Sequence, residues 1–243
     1  MKALVVGGSS GIGLSIVLNL LGKGECEGVY VVDKVPFPDA YANDRVTYIP
    51  CDLSKGDYSC LAAAKDIQAL YITAGFGHLK YFQELSEDYI QNSFSVNSIA
   101  PIQIIRHYYD RLLSKEVFHC AVMVSIAGRL SSPLFSVYSA TKAALSKFIE
   151  AVNVELDVQE SKNRILEVSP GSLKGTSFTG GPSQPEFTVA LADEIIRRAE
   201  NHEELFIPQY EDVFKGVLAR YEADAHKFGV DSYWYKKKRI EQK

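Results

Sequence analysis

The feature that most constrains the fold of this chain is a glycine-rich turn between two apolar segments. A β-rich run covers residues 3–6, the turn Gly-Gly-Ser-Ser-Gly-Ile-Gly covers residues 7–13, and an apolar helical pattern follows. Glycine permits a tight turn and a close approach of backbone to a ligand, and the N–H groups that begin a helix attract negative charge. The pattern therefore predicts a phosphate cradle, although any tight strand-to-helix turn also favours glycine. The candidate binding residues are Gly7, Ser9, Ser10, Gly11, Ile12 and Gly13.

Short β-rich runs alternate with longer helical patterns along the chain. The runs cover residues 3–6, 29–32, 46–50, 69–73, 121–124, 165–168 and 205–207, and the main helical patterns cover 86–113, 136–158, 187–199 and 211–221. The runs are apolar without strict alternation, which is typical of parallel strands covered by helices on both faces. Since 47% of the 243 residues are hydrophobic, one core is expected. The sequence predicts a single α/β domain over residues 1–243, with a doubly wound, Rossmann-type parallel sheet of about seven strands.

An aspartate closes the second run. Asp33 stands about 20 positions after Gly13, a spacing at which a carboxylate accepts hydrogen bonds from the ribose hydroxyls of a bound dinucleotide. A carboxylate at this place also repels the 2′-phosphate of NADP. The glycine turn contains no arginine or lysine, although Lys34 is adjacent to Asp33 and could reach a phosphate. The sequence therefore predicts NAD as the cofactor, with NADP as the alternative.

Small and polar residues also follow the third and fourth runs. In a doubly wound sheet, the carboxyl ends of the strands form the edge at which ligands bind. The residues expected to contribute to cofactor binding there are Asp52, Leu53, Thr73, Ala74 and Gly75.

A tyrosine and a lysine lie four residues apart in the helical pattern of residues 136–158. Tyr138 and Lys142 therefore share one helical face. An ammonium group lowers the pKa of a nearby phenol, which would let Tyr138 exchange a proton with an alcohol or a carbonyl. The same spacing also occurs by chance in surface pairs. Ser125 favours a site, because it follows an apolar run and should emerge at the ligand-binding edge, where its hydroxyl can bond a substrate oxygen.

The glycine turn, Asp33, Ser125, Tyr138 and Lys142 together resemble the short-chain dehydrogenase/reductase family over nearly the whole chain. The resemblance implies hydride transfer between a nicotinamide cofactor and a secondary alcohol or ketone as the small-molecule substrate. It implies that Tyr138 is the catalytic acid/base and that Ser125 orients the substrate oxygen. Lys142 is implied to bind the nicotinamide ribose and to lower the pKa of the tyrosine.

The resemblance extends to two further features. The Ser-Pro-Gly sequence after the sixth run is similar to the family's turn beside the nicotinamide, which adds Pro170 and Gly171 to the expected cofactor contacts. The family also implies a homodimer or homotetramer that packs through the helices beginning at Ser86 and Ser136.

The resemblance also points to Asn97, whose backbone carbonyl would hold a proton-relay water. Pro101 gives an independent reason, because proline lacks the N–H that would bond the carbonyl four positions back. A free buried carbonyl needs a partner, and an ordered water can serve. The alternative is a simple proline kink.

The chain departs from the family pattern at three places, and two other functions stay open. Val6 replaces the usual threonine before the glycines, Ile-Thr at residues 72–73 replaces Asn-Asn, and Thr176 falls one residue late. A dinucleotide-binding regulator of the same fold without activity is one alternative. A nucleotide-sugar epimerase or dehydratase is the other, although the chain looks short for the sugar-binding portion of such relatives.

Composition narrows the expected partners. A net charge of −4 and a sequence pI of about 5.8 give no reason to expect nucleic acid. The four cysteines follow no CxxC pattern and the five histidines no metal spacing, so neither a metal site nor a disulfide framework is predicted. With no signal-peptide pattern at the N-terminus and no membrane-spanning run, a cytoplasmic protein is expected.

Two C-terminal segments receive weaker predictions. Residues 171–186 are rich in glycine, serine, threonine and proline and are predicted to form a substrate loop, with a surface excursion as the alternative. Residues 232–243 carry Lys-Lys-Lys-Arg after Tyr-Trp-Tyr and are predicted to be a solvated basic tail, which the aromatic residues could anchor on the body or on another subunit.

Overall fold

Seven parallel strands form the centre of the protein. The computed structural model describes residues 1–176, 178 and 182–241. The strands are β1 (Lys2–Val6), β2 (Gly28–Asp33), β3 (Val46–Pro50), β4 (Ala69–Ile72), β5 (His119–Met123), β6 (Ile165–Val168) and β7 (Leu205–Phe206). They pair in the order β3-β2-β1-β4-β5-β6-β7, and every pairing is parallel. The prediction of a doubly wound, Rossmann-type sheet is confirmed.

Helices connect the strands. They are α1 (Gly11–Gly22), α2 (Glu87–Phe94), α3 (Ala100–His107), α4 (Tyr109–Leu113), α5 (Ser136–Val158), α6 (Val189–Glu200), α7 (Lys215–Ala223) and α8 (Ala225–Glu241). Single π-helical turns occupy Ser95–Ile99 and Tyr210–Phe214. Short 3-10 turns lie at Asp39–Tyr41, Leu53–Lys55, Ser59–Ala63, Phe82–Glu84, Ile126–Gly128 and Pro185–Phe187.

Both faces of the sheet are buried, which explains the lack of alternation in the strand sequences. Successive strand residues point to opposite faces. In β1, Leu4 and Val6 belong to a core layer that includes Ile104, whereas Ala3 and Val5 belong to the opposite layer with Ile16. Each of these β1 residues is fully buried. Burial of one such side chain stabilises the fold by about 1.5–3 kcal/mol, so both layers need apolar residues.

The predicted helix over residues 86–113 is interrupted in the structure. Ser86 caps its start as predicted, because its hydroxyl accepts a hydrogen bond from the Tyr89 N–H at 3.2 Å. Pro101 cannot donate to a carbonyl one turn earlier, and the helix widens just before it, where the Ala100 N–H bonds the Ser95 carbonyl. A second break falls at Tyr108. One continuous helix is therefore the wrong description.

The C-terminal segment is also more ordered than predicted. As far as it is described, the predicted tail continues helix α8, and residues 242–243 lie outside the described residues. Lys236 Nζ donates to Ser132 Oγ at 2.6 Å and to the Pro133 carbonyl at 3.2 Å. Burial lowers the pKa of Lys236 to about 8. The description as a solvated tail is therefore wrong at Lys236, although Trp234 is more than half exposed.

None of the described helices is long and apolar enough to cross a membrane.

Candidate active site

The loops after the strands bring the predicted site residues to one edge of the sheet. Because the strands are parallel, all of these loops open on the same side. The residues that begin these loops, or close the strands before them, include Gly7, Asp33, Asp52, Thr73, Ser125 and Pro170.

The glycine turn packs too tightly for side chains at two of its positions. A Cβ atom on Gly13 would lie 2.2 Å from the Gly7 carbonyl oxygen, and one on Gly7 would lie 2.5 Å from the Ala74 nitrogen. Gly7 also has a φ of +86°, which favours glycine. Thr73 Oγ1 donates to the carbonyls of Val6 and Gly7 at 3.0 and 3.2 Å. In place of the family's asparagine, Thr73 thus ties the end of β4 to the turn.

The start of helix α1 follows this turn directly. The Leu14 N–H bonds the Ser10 carbonyl, and Ile12 is half-buried against the core. The Gly11 N–H donates to Ser183 Oγ at 2.6 Å, so an oxygen from the predicted substrate loop already sits on this helix start. A cradle of backbone N–H groups with no room for side chains fits a pyrophosphate. The chain's own residues are therefore compatible with a dinucleotide.

Asp33 lies beside the glycine turn in space as well as in the sequence pattern. Its carboxylate accepts hydrogen bonds from the Ser9 N–H and the Val35 N–H, both at 3.1 Å. Ser9 Oγ in turn donates to the Val35 carbonyl at 2.8 Å. Lys34 is exposed next to it. The turn and the end of β2 are held together by these contacts.

Asp52 and Leu53 have local structural roles in the protein. Asp52 Oδ1 accepts hydrogen bonds from the backbone N–H and the hydroxyl of Ser54, which lower the pKa of this exposed carboxyl. Leu53 is buried in the core. Their expected part in cofactor binding stays a prediction.

Tyr138 and Lys142 are both buried on α5. Lys142 Nζ donates to the Met123 carbonyl at the end of β5 at 2.8 Å, and it lies 5.9 Å from the centre of the Tyr138 ring. A Cβ atom on Gly75 would lie 3.3 Å from Lys142 Nζ and 3.2 Å from Asn97 Oδ1. The backbone after β4 therefore passes close to the ammonium group.

Burial dominates the protonation of both groups. It raises the pKa of Tyr138 to about 12, while a hydrogen bond with the Ser125 hydroxyl acts in the opposite direction. It lowers the pKa of Lys142 to about 7. The lowering of the Tyr138 pKa by Lys142 stays a prediction, because burial of the phenol dominates in the protein chain by itself. Desolvation of the phenol outweighs the effect of Ser125, and desolvation of the lysine favours its neutral form.

Ser125 links the tyrosine to the loop after β6. Its hydroxyl lies close enough to Tyr138 to lower the pKa of the phenol. It also accepts from the Ala127 N–H at 3.1 Å and lies 3.4 Å from the Pro170 carbonyl. The Ile126 N–H bonds the same carbonyl. Ser125 is thus held close to both Tyr138 and the Pro-Gly turn.

Asn97 clamps two elements through its side chain. Its Oδ1 accepts from the Phe76 N–H and its Nδ2 donates to the Phe76 carbonyl, both at 2.9 Å. Nδ2 also donates to Thr141 Oγ1 at 3.2 Å. The fully buried Asn97 lies in the π-helical turn before Pro101, so it joins the segment after β4 to α5. Its predicted contact to a relay water stays a prediction.

Aromatic rings surround the tyrosine, and the sequence patterns did not reveal them. The Phe135 ring lies 4.3 Å from the Tyr138 ring and the Phe178 ring 5.2 Å from it. Phe214 packs on the Pro-Gly turn so closely that a Cβ on Gly171 would meet its ring at 2.4 Å. Phe135 directly precedes α5, so its place next to the site was open to inference. Phe178 and Phe214 arrive from distant segments and gave no signal.

A buried ion pair supports the loop that carries Ser125. The Glu167 carboxylate accepts from Arg129 at 2.7 Å and also from the hydroxyls of Ser146 and Ser169. Glu167 is only 3% exposed. A charged residue inside an apolar strand was the signal that could have found this network, because a buried charge needs partners.

No group of three or more histidine, cysteine, aspartate or glutamate side chains that could hold a metal ion occurs in the part of the chain that the structure describes.

A comparison of the sequence with known protein families agrees with this fold. The model of the short chain dehydrogenase family matches residues 1–185. The chain belongs to this family. A relative at 28% identity over 212 residues is the uncharacterized oxidoreductase TDA5 of Saccharomyces cerevisiae. The match covers 81% of this chain and 64% of that relative, so the chain corresponds to less than two thirds of the relative's length.

Solved structures share the fold. A short-chain dehydrogenase from Burkholderia cenocepacia in complex with NADP has a TM-score of 0.70 at 21% identity, covering 90% of this chain and 96% of its own. A 4-hydroxyisoleucine dehydrogenase complexed with NADH has the same TM-score and identity, covering 85% and 96%. The family is one of oxidoreductases that use a nicotinamide cofactor, and members of this fold bind either dinucleotide.

The tight glycine contact makes a first prediction. Gly13→Ala should lower the free energy of unfolding by about 2 kcal/mol or more, because the new methyl group meets the Gly7 carbonyl backbone. Urea unfolding measures the change. Gly22→Ala, near the end of the same helix and with no atom within 4 Å of its Cβ, is the matched control and should leave stability unchanged or raise it. Equal stability of the two variants would contradict the close contact.

The buried lysine makes a second prediction. Lys142→Met should raise the free energy of unfolding at pH 6 by about 1 kcal/mol, because it removes a buried ammonium group. In the wild type this penalty is full below the folded pKa of about 7 and disappears as pH rises towards 10.5, the ordinary pKa of a lysine. Urea unfolding at pH 6 and pH 9 should therefore show a smaller gain at pH 9. Lys147→Met, exposed on the same helix, should show neither effect, and a less stable Lys142→Met at pH 6 would refute this account.

Proposed function

We propose that this protein is an NAD-dependent oxidoreductase that transfers a hydride between the nicotinamide and a secondary alcohol or ketone. The observation that carries the proposal is the convergence of the Ser125 hydroxyl, the Tyr138 phenol and Lys142 Nζ, which lies 5.9 Å from the centre of the tyrosine ring. This arrangement lies at the same sheet edge as the glycine turn and Asp33. Proton donor, oxygen-orienting hydroxyl and dinucleotide cradle are thus combined in one place.

The protein's own groups would handle the oxygen and the proton. In the direction of reduction, the hydroxyls of Ser125 and Tyr138 bond the substrate carbonyl oxygen, and Tyr138 donates its proton as the carbonyl carbon gains a hydride. The bound nicotinamide supplies or accepts that hydride. In the direction of oxidation, Tyr138 removes the proton from the alcohol. The pKa of about 12 for Tyr138 in the protein favours the protonated phenol, which is the form that donates a proton.

Lys142 and Asn97 would act beside the tyrosine. The ammonium of Lys142 lies next to the Gly75 backbone, where it would hold the nicotinamide ribose. When charged, it favours the phenolate and so makes loss of the proton easier. Asn97 holds the segment after β4, and its carbonyl before Pro101 would place a relay water.

The glycine turn and the end of β2 support NAD as the dinucleotide. The N–H groups at the start of α1 would hold the pyrophosphate in place of the Ser183 hydroxyl, with the turns of residues 73–75 and 170–171 beside the nicotinamide and residues 52–53 on the adenosine side. Asp33 is fixed next to the turn by Ser9 and Val35, so its negative charge opposes a 2′-phosphate. Lys34 is the nearby group that would favour NADP, and it is exposed to solvent.

The substrate would be a small molecule with an apolar body. Phe135 and Phe178 cover the Tyr138 ring, and such surfaces favour apolar contacts. The predicted substrate loop of residues 171–186 brings Ser183 to the start of helix α1 and Phe178 to the Tyr138 ring, which supports its role at the substrate. Residues 177 and 179–181 of this loop lie outside the described residues.

We also propose that two or four chains associate and that the protein is cytoplasmic. Val154 and Val158 on α5 and Ile99 beside α3 are exposed, which supports pairing through the helices of residues 86–113 and 136–158. All four cysteines are free thiols, which is typical of a reducing compartment.

Tyr138→Phe tests the catalytic role. It should lower kcat for any substrate found in a panel of secondary alcohols and ketones by at least about a hundredfold, because the proton donor is gone. NADH binding, followed by fluorescence titration, should stay nearly unchanged. Tyr109→Phe removes a phenol hydroxyl on the distant helix α4 and is the control for loss of a hydroxyl.

Two outcomes would contradict this mechanism. Normal turnover of Tyr138→Phe would reject the tyrosine as acid/base. A wild-type protein that binds NADH but turns over no member of the panel would favour the inactive regulator.

Asp33→Asn tests the cofactor preference. Wild-type kcat/KM should be at least about tenfold higher with NADH than with NADPH, which corresponds to about 1.4 kcal/mol. The variant keeps the size of the side chain and one acceptor oxygen, so it should narrow this ratio by removing the negative charge. Asp39→Asn, exposed further along the same loop, should leave the ratio unchanged. A wild type that prefers NADPH would show that Lys34 dominates.

A further inference from the structure

Two cysteine thiols are in direct contact beside the nucleotide-binding edge. Cys51 follows β3 directly, and Cys60 lies in the 3-10 turn Ser59–Ala63. The Cys60 thiol donates to the Cys51 sulfur at a distance of 2.9 Å. Both side chains are half-buried at the margin of one core layer. The mechanism proposed above makes no use of either thiol.

We propose that Cys51 and Cys60 are a modification site at which a hydroperoxide forms an intramolecular disulfide. One thiolate attacks the peroxide oxygen, which breaks the O–O bond, forms a sulfenic acid and releases an alcohol or water. The other thiolate then attacks the sulfenic sulfur, forms the S–S bond and releases water. The two thiols lose two electrons and two protons, and the hydroperoxide is reduced by the same two electrons.

The geometry requires only a small movement. A disulfide needs about 2.05 Å between the sulfurs, so they must approach by less than about 1 Å. The segment between the two cysteines can supply this movement, because Asp52 and residues 54–57 are half-exposed or exposed and Gly56 has open space around it. The other two cysteines are placed differently, since Cys26 donates to the Gly28 carbonyl and Cys120 is fully buried.

The oxidation should be slow. Burial, the neighbouring Cys60 and the carboxylates of Asp57 and Asp52 raise the pKa of Cys51 to about 12. The thiolate is the reactive form, so little of it is present at neutral pH. The site therefore fits modification under sustained oxidant rather than rapid sensing.

The new bond would act on the nucleotide edge through a backbone contact. The Cys51 N–H donates to the Asp33 carbonyl at 2.9 Å, and Cys51 directly precedes Asp52 and Leu53. Movement of the Cys51 sulfur towards Cys60 pulls on this junction between β2 and β3. We therefore expect the affinity for the dinucleotide to fall when the disulfide forms. This effect on affinity rests on the proposed function, whereas formation of the disulfide does not.

Peptide mapping tests the disulfide directly. Trypsin cuts after Arg45, Lys55 and Lys65, so the two cysteines fall in separate peptides, residues 46–55 and 56–65. After hydrogen peroxide treatment, alkylation and digestion without reductant, wild type should yield these two peptides joined by a disulfide. Cys51→Ser and Cys60→Ser should not yield the joined peptide, whereas the control Cys26→Ser should. Wild type in which both peptides are recovered separately would overturn the proposal.

NADH titration of the same samples tests the coupling. Affinity of oxidised wild type should be at least about fivefold lower than that of reduced wild type, and Cys60→Ser treated with the same peroxide should keep the reduced affinity. If the joined peptide forms but the affinity of the protein for NADH is unchanged, the coupling between the disulfide and dinucleotide binding is wrong, and the modification site is supported. If reduced wild type binds neither NADH nor NADPH, the proposed cofactor fails, and the peptide map still decides the disulfide.

Discussion

A close backbone contact between two glycines supports the edge of the sheet at which we propose that the dinucleotide binds. At residue 13 a side chain would meet the Gly7 carbonyl at 2.2 Å, so helix α1 starts as close to the preceding turn as the backbone allows. Thr73 completes the contact from β4 with hydrogen bonds to the carbonyls of Val6 and Gly7. The first and fourth strands are thereby held together where the helix begins. The N–H groups of the first helical turn reach the ligand edge because this junction is so compact.

The catalytic side of the edge depends on how buried charge is compensated. Glu167 is surrounded by donors from Arg129, Ser146 and Ser169, and the resulting network connects β6, α5 and the loop after Ser125. Lys142 is equally buried and donates to the neutral Met123 carbonyl. Desolvation therefore lowers its pKa to about 7, whereas the carboxylate has an opposite charge beside it. Burial without an opposite charge is therefore costly at Lys142, whereas Glu167 is stabilised by its partners.

Much of this architecture was open to prediction because it follows from local chemistry. Ser125, Tyr138 and Lys142 were predictable as a group, since strand ends and helical spacing are local properties. The same holds for the core, because both faces of β1 must be apolar. Local patterns were less informative where segments meet. Phe178 and Ser183 reach the site from a loop whose path depends on the rest of the molecule, and the helical course of α8 depends partly on contacts such as that of Lys236 with Ser132.

The sequence by itself determined the parallel sheet, the glycine turn and the identity of the groups that can move a proton, because each depends on residue type and spacing along the chain. Only the tertiary structure decided how acidic those groups are. The pKa values of Tyr138 and Lys142 move in opposite directions for the same reason, which is removal from water by segments far away in sequence. The tertiary structure also decided which thiols touch. Cys51 and Cys60 share no recognisable motif, and their sulfurs meet because a strand end and a 3-10 turn fold onto the same core layer.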